Sequence, residues 1–307
     1  MKKLQVKHVN AFTSQPFCGN PAGVVLDARG LTETRMQIIA REMGMPETAF
    51  VLAPSWRGAH LQIRWFTPAI EVPLCGHATI GAFHALAEEE MFGMKHNGLY
   101  HFNVQTKSGL LRVDVDKKHS SSLVEFHLPV IRFRSLTGLT SKFSDALGIT
   151  RPLLHRRLPV ARGNYLYIPV RSLAVLRSLR PDMNALTRLC KASKLVGISV
   201  FSLQTVEDGS AVHSRFFAPA AGVDEDPVTG SANGPLGIYL YQHALRRGIA
   251  VPSLSLPDGR LEFIGEQGDL MGRKGRVTIR LRFNKGTVND VSIGGEAVTI
   301  FTTELVW

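Results

Sequence analysis

A chain of 307 residues that is 44% apolar and 20% charged has the make-up of an ordinary globular protein, and at that length it buries roughly three quarters of its unfolded surface, in two lobes of about 150 residues each. No run approaches the ~18 apolar residues a membrane span needs, Met1-Lys2-Lys3 is not followed by the apolar stretch of a signal peptide, and three cysteines without C-x-x-C spacing, Cys18, Cys75 and Cys190, argue against a disulfide framework or a structural zinc site and suit a reducing cytosol. The net charge of +11 is concentrated in residues 131–180, ten Arg or Lys against the single acid Asp145; with no helix-turn-helix, zinc-finger or RNA-binding aromatic signature beside it, this stretch reads as a solvated, Arg-rich face rather than a nucleic-acid surface.

Residues 6–12 alternate weakly and residues 22–26 follow a Gly-Asn-Pro turn, so both predict strands. Thr32 and Glu33 suit a helix start, Met36, Ile39, Ala40 and Met43 fall on one helix face, and Gly44 and Pro46 end it. Strands are expected over 48–52 and 61–66. A second helix over 78–91 follows Cys75-Gly76-His77, with Ile80, Phe83, Ala87 and Met91 as its apolar face. Strands continue over 110–115 and 123–128. The second half repeats this order: a strand at 165–170, a helix over 181–191, strands at 200–203 and 214–217, a loop ending in Gly230-Ser231, and a helix over 232–243. The tail from 276 to 307 is strand-rich again. Each half therefore reads as mostly antiparallel strands with two helices, an α+β class.

The repetition is also literal. Arg64-Trp65-Phe66-Thr67-Pro68-Ala69 returns 151 positions later as Arg215-Phe216-Phe217-Ala218-Pro219-Ala220, and Phe50 and Leu52 return as Phe201 and Leu203. After a three-residue insertion, Glu71-Val72-Pro73-Leu74-Cys75-Gly76-His77-Ala78 lines up with Glu225-Asp226-Pro227-Val228-Thr229-Gly230-Ser231-Ala232. Positions that agree describe scaffold. Positions that differ, Glu47 against Ile198, Val72 against Asp226, Cys75 against Thr229 and His77 against Ser231, are where an asymmetric reaction can be installed. Both loops place a glycine, Gly76 or Gly230, at a helix start, where unpaired first-turn amides suit a carboxylate. Asn20 and Asn164, each after a glycine, form a weaker echo that serves either a turn or a substrate's polar group.

Five ordered motifs carry a resemblance. His8-Val9-Asn10-Ala11-Phe12-Thr13, Gly19-Asn20-Pro21-Ala22-Gly23-Val24, Glu47-Thr48-Ala49-Phe50, Phe66-Thr67-Pro68 with Cys75-Gly76-His77-Ala78-Thr79, and Glu225-Asp226-Pro227-Val228-Thr229-Gly230-Ser231-Ala232 together resemble the phenazine-biosynthesis isomerase-like (PhzF-like) family, relatives of diaminopimelate epimerase. The likeness runs from about residue 5 to the C-terminus. It implies a duplicated, two-lobe α+β fold of the diaminopimelate epimerase type, each lobe a β-barrel-like sheet around a central helix. It also implies an active site between a lobe at 1–128 and a lobe at 129–294, with the last strand, about 295–307, returning to the first lobe. The implied activity is a cofactor-independent, metal-free proton shift on a small carboxylic acid by a homodimer. Glu47 maps onto the family's acid–base glutamate, with His77, Asp226 and Ser231 as catalytic partners and Asn20, Gly76, Gly230 and Cys75 as substrate contacts.

Physical chemistry adds three expectations. Burial should raise the Glu47 carboxyl toward neutrality, a helix start should lower the His77 imidazole, and Ser231 should cap its helix. Two-thiol racemisation through Cys75 would need a second thiol where Thr229 stands, and a hydroxyl is a far weaker base. A metabolite-binding module without chemistry, and nucleic-acid binding through residues 131–180 with steep salt dependence, are the competing classes.

Overall fold

Period-two burial at Leu4 and Val6, shifted by a bulge between His8 and Val9 so that Val9 and Ala11 are also inside, makes strand β1 (Lys3–Ala11). The computed structural model describes residues 3–119, 121–254 and 259–306. The chain divides into two units, Met1–His127 with Ile293–Trp307, and Leu128–Ser292. The first continues with β2 (Asn20–Val25), α1 (Glu33–Met43), β3 (Glu47–Leu52), β4 (Leu61–Phe66), β5 (Glu71–Val72), α2 (Gly76–Glu88), β6 (Gly98–Thr106), β7 (Gly109–Lys118) and β8 (Ser121–Leu128). The second begins with β9 (Arg134–Ser135), α3 (Ser141–Leu147), β10 (Ala161–Arg162), β11 (Leu166–Pro169), α4 (Leu173–Ser178), α5 (Met183–Ser193) and β12 (Ile198–Ser202). It goes on through β13 (Val212–Ala218), β14 (Val223–Asp226), α6 (Gly230–His243), β15 (Leu261–Gln267), β16 (Gly275–Asn284) and β17 (Thr287–Gly295). Strand β18 (Ala297–Val306) then pairs antiparallel with β1, from Lys3↔Val306 to Ala11↔Ala297.

In the first unit β2 runs parallel to β3 and β4 parallel to β6, while β3–β4, β4–β5 and β6–β7 are antiparallel. The second unit has the same succession: β11 parallel to β12 and β13 parallel to β15, with β12–β13, β13–β14 and β15–β16 antiparallel. The lobes are mostly antiparallel, as expected, and the two parallel pairs in each unit are an addition to that reading. A parallel neighbour needs a crossover, and the helices α1 and α2, or α5 and α6, lie in those crossovers. The short α3 and α4 were not expected at all; their seven and six residues are too short to show a helical period.

Helix α2 departs from the one-face reading, and α6 shares its character. Every residue of α2 from His77 to Ala87 is buried, and α6 is buried at eleven of its fourteen positions, as expected of a helix enclosed by protein on all sides. Small residues allow this: a Cβ at Gly81 would sit 3.5 Å from Val9 and 3.7 Å from Ala22, so α2 lies directly across β1 and β2, and a Cβ at Gly237 would come within 2.6 Å of Ile279 on β16. By contrast α1 follows its pattern, with Thr32 accepting from the Arg35 amide and Gly44 closing it at φ 60°. No helix among the described residues is long and apolar enough to cross a membrane.

The echoed arginines hold equivalent hairpins. Arg64 makes a bidentate pair with Glu71 at 2.7 and 2.9 Å, a further bond to Glu33, and a stack over Phe66. Arg215 does the same with Glu225 at 2.8 Å on both arms and stacks over Phe217, but its remaining nitrogen donates to the carbonyls of Leu176 and Leu179. Its side chain is 9% exposed against 21% for Arg64. Removing one partner of a buried pair strands the other, so Arg215→Ala is expected to cost about 3–5 kcal/mol, while Arg64→Ala costs about 1 kcal/mol. Denaturant midpoints of the two variants check this; equal losses would contradict it.

Candidate active site

The register Ala22↔Glu47 places Glu47 at the first position of β3. Asn20 lies two residues before Ala22 and so projects to the same face of the sheet, the face that α2 covers. Thr48 Oγ1 would meet a Cβ at Gly23 at 2.7 Å, so this strand pair closes up only with glycine there. Cys75 is the N-cap of α2, extended at φ −138° and ψ 117°, and the Thr79 hydroxyl bonds its carbonyl at 2.6 Å. His77, one residue into α2 after Gly76, points its Nε2 at Glu47 Oε2 across 3.1 Å. The Cys75 sulfur stands 3.6 Å from His77 Nδ1 and 3.9 Å from Nε2.

These contacts reverse the two electrostatic expectations. Burial works to raise the Glu47 carboxyl, but the facing His77 charge, its hydrogen bond and one from Cys75 carry it below the ordinary carboxylate value. Burial likewise works to lower His77, yet the Cys75 sulfur and the Glu47 carboxylate beside it lift it well above an ordinary imidazole. Burial and the Glu47 charge push the Cys75 thiol up, so at neutral pH Cys75 is a thiol and Glu47 alone supplies the negative charge. Magnitudes explain the outcome. A helix end is worth about 0.3–1 kcal/mol against a protonated His77, whereas opposite charges about 4 Å apart attract by about 4 kcal/mol at an effective dielectric near 20. The site therefore holds a carboxylate and an imidazolium.

The second unit assembles a different group at the equivalent helix start. Asp226 ends β14 opposite Phe216, and the Thr229 hydroxyl donates to its Oδ2. Gln267, the last residue of β15, braces the loop: it donates to the Asp226 carbonyl at 2.8 Å and to Thr229 Oγ1 at 3.1 Å, and accepts from the Thr229 amide at 3.1 Å and the Asn233 amide group at 2.9 Å. Gly268 follows at φ 86°, where a Cβ would meet the Pro227 carbonyl at 2.6 Å and that of Arg273 at 2.4 Å.

Ser231 does not cap α6; Thr229 occupies the N-cap and gives its hydroxyl to Asp226 instead. The Ser231 hydroxyl meets the Tyr165 hydroxyl at 2.9 Å. Pro235 has no N–H for the carbonyl four residues back, which is that of Ser231, and the Asn164 amide donates to this carbonyl at 3.4 Å. Asn164 Oδ1 accepts from the Tyr165 amide and the Tyr167 hydroxyl, both at 3.1 Å. Both ends of Asn164 thus serve the protein itself. Burial and the charge of Asp226 raise the Tyr165 phenol against the lowering bond from Ser231, so it stays a neutral phenol.

The structure thus gathers Glu47, Cys75 and His77 beside Gly76 in the first unit, with Asn20 on the sheet face of Glu47, and Asp226, Gly230 and Ser231 at the helix start of the second. Reasoning from sequence missed Tyr165 and Gln267; the only signals were the adjacency of Tyr165 to Asn164 and the Pro235 that releases the Ser231 carbonyl. A symmetric pair of thiol bases is disfavoured, because Cys75 is held as a thiol and its counterpart Thr229 is bonded to a carboxylate. Glu47, Cys75 and His77 also offer three ligand atoms within 4.8 Å of one another.

Residues 9–303 match the family described as phenazine biosynthesis-like protein. The chain is 36% identical to an uncharacterized isomerase of Clostridium acetobutylicum, over 100% of this chain and 99% of the relative. It is 31% identical to the trans-2,3-dihydro-3-hydroxyanthranilate isomerase of Pseudomonas chlororaphis, over 95% of each. Among solved structures it resembles a phenazine biosynthesis protein of the PhzF family from Bacillus anthracis, with a TM-score of 0.86 at 32% identity and full coverage of both chains. A hydroxyproline epimerase of Agrobacterium vitis, at 14% identity, TM-score 0.61, and 99% and 91% coverage, shares the fold.

Proposed function

The chain belongs to the phenazine biosynthesis-like family and is an isomerase, and on that premise we propose that it shifts a proton on a small carboxylic acid without a cofactor, with Glu47 as the single acid–base group. The observation that carries this reading is the Glu47–His77 pair: the carboxylate is kept ionised by its partner, yet it is more open than that partner, 20% exposed against 8%. Such a group accepts a proton from an activated carbon and returns it to another atom of the same molecule. Atoms and oxidation state balance within the substrate, so the step needs no second reactant. His77 holds Glu47 in its accepting form and hydrogen-bonds the developing charge without giving up its proton.

The remaining roles follow from chemical type. Gly76 and Gly230 each open a helix whose first-turn amides suit a carboxylate. Asn20, on the face of Glu47, takes a polar substituent, Cys75 supplies the packing surface beside the reacting carbon, and Asp226 and Ser231 take an amino or hydroxyl group. The Pseudomonas chlororaphis relative is named for a ring acid, so a dihydro-hydroxyanthranilate-like or amino-acid-like carboxylate is the class we assign. The matched strand succession and paired arginines support an internal duplication of the diaminopimelate epimerase type, and the family premise carries a cytoplasmic homodimer.

The test is exchange with solvent. Ring and amino-acid carboxylates, beginning with trans-2,3-dihydro-3-hydroxyanthranilate, are incubated with the enzyme in deuterium oxide and read by mass spectrometry. Uptake of up to about one deuterium at carbon, accompanying isomerisation, is expected of a carboxylate that relays one proton. Product that carries partly retained hydrogen and partly solvent deuterium is the mark of one carboxyl that both removes and returns the proton; turnover that persists undiminished in Glu47→Gln would count against it.

A further inference from the structure

We propose that Cys75, His77 and Glu47 form a latent three-ligand site for a thiophilic divalent cation, zinc above all, and that occupation of this site switches the isomerase off. No spacing in the sequence announces it, since only Cys75 and His77 are neighbours and Glu47 comes from β3. The fold brings the three together. A tetrahedral zinc ion about 2.3 Å from sulfur and about 2.0–2.1 Å from nitrogen and oxygen spaces its ligand atoms roughly 3.3–3.6 Å apart. The observed edges are 3.9 Å from Cys75 Sγ to His77 Nε2 and 3.1 Å from His77 Nε2 to Glu47 Oε2. The third edge, from Cys75 Sγ to Glu47, lies within 4.8 Å, so the site closes as the Glu47 and Cys75 side chains draw in on the ion.

The donor set selects the ion. One sulfur, one imidazole and one carboxylate suit zinc or cobalt(II), whereas magnesium and calcium demand oxygen. Cys75 and His77 are buried at 6% and 7% exposure and their backbone is fixed by the first turn of α2; the Cys75 thiol, held up by burial and the Glu47 charge, ionises only as the cation arrives. The fourth position stays open to water or to a substrate carboxylate. Binding is balanced by proton release: the thiol and the imidazolium each give one up as the ion arrives, so affinity rises with pH with a slope of about two protons per ion. The bound carboxylate no longer accepts a proton from carbon. That inhibitory consequence rests on Glu47 being the acid–base group; the site itself does not.

Cobalt(II) titration of the intact protein tests the site without any substrate. The expected result is one ion per chain, with a thiolate-to-cobalt charge-transfer band and the intense ligand-field bands of a tetrahedral ion, both removed by zinc. Cys75→Ser abolishes the charge-transfer band and weakens cobalt binding by more than about 100-fold, beyond the loss of a merely supporting group. Glu47→Gln keeps the band with weaker affinity. Cys18→Ser and Cys190→Ser leave band and affinity unchanged, which assigns the ligand even if Cys75→Ser does not fold. Cobalt binding without a thiolate band, or a band that survives in folded Cys75→Ser or vanishes in Cys18→Ser or Cys190→Ser, overturns the proposal. An isomerase inactive on every ring acid but showing the Cys75 band would instead strike the proposed reaction and leave the metal site standing.

Discussion

Glu47→Gln is expected to lower kcat by roughly 10²–10⁴-fold, the usual worth of a positioned acid–base group, while thermal unfolding shows the fold intact. Glutamine keeps the size of the side chain and an oxygen for His77 but cannot take a proton from carbon. The pH profile makes the prediction specific. Activity needs Glu47 ionised, so it is present above the Glu47 pKa and lost as pH falls through it. Because His77 and Cys75 hold that carboxyl below its ordinary value of 4.5, the acid limb of kcat/KM in the parent lies below the usual carboxylate range. His77→Asn removes the counter-charge at 3.1 Å and leaves burial as the chief remaining influence, so the same limb moves up toward neutral pH. The alkaline limb in the parent follows the raised His77, above the ordinary imidazole value of 6.5. A fully active Glu47→Gln enzyme, or an acid limb unmoved in His77→Asn, would sink the single-carboxylate reading.

What was legible beforehand divides along physical lines. The echo between Arg64 and Arg215, Phe66 and Phe217, and Gly76 and Gly230 was readable because identical side chains make identical hairpins, down to the bidentate bond and the ring beneath each guanidinium. The ends of α1 were readable because caps are local chemistry. The helices α2 and α6 were placed with late starts because both are apolar all round, which leaves no face for a period to reveal. The parallel pairings were hidden because they join strands separated by whole helices. The charge state of the site was misread for the same reason: what decides it is a cross-element distance, set by the Ala22↔Glu47 register, and neither the burial of Glu47 nor the helix position of His77 encodes it.

One equivalence escaped the sequence altogether and carries the second large effect. Gln105 Oε1 accepts the backbone amides of Ser55 and Trp56 at 2.8 and 3.0 Å, on a strand whose register is Gln62↔Gln105. In the second unit His213↔Glu266 is the matching register, and Glu266 accepts the amides of Val206 and Glu207, both at 2.8 Å. An amide in one unit is thus a carboxylate in the other, so no residue match betrays it. The carboxylate is fully buried, bonds His213 Nδ1 at 2.8 Å and lies 3.9 Å from Arg276. Burial alone would raise it, but His213, the two amides and Arg276 hold its pKa at about 2. Glu266→Ala leaves two buried amides and His213 Nδ1 without their partner, while Arg276 keeps Glu207 and Asp269, and is expected to cost about 3–5 kcal/mol, a fall of roughly 6–20 °C in Tm for units of this size. Glu266→Gln restores the arrangement Gln105 already makes and is expected to cost only about 1–2 kcal/mol. The sign of the pH dependence follows from the depressed pKa: the ionised Glu266 contributes stability above its ordinary value of 4.5, and that contribution drains away as pH falls from there toward about 2. Glu266→Gln should lose this component of the acid sensitivity. Calorimetry of the three proteins between pH 7 and pH 3 decides it; a glutamine variant as unstable as the alanine one would show that charge, and not the capping of the 206–207 turn, is what Glu266 provides.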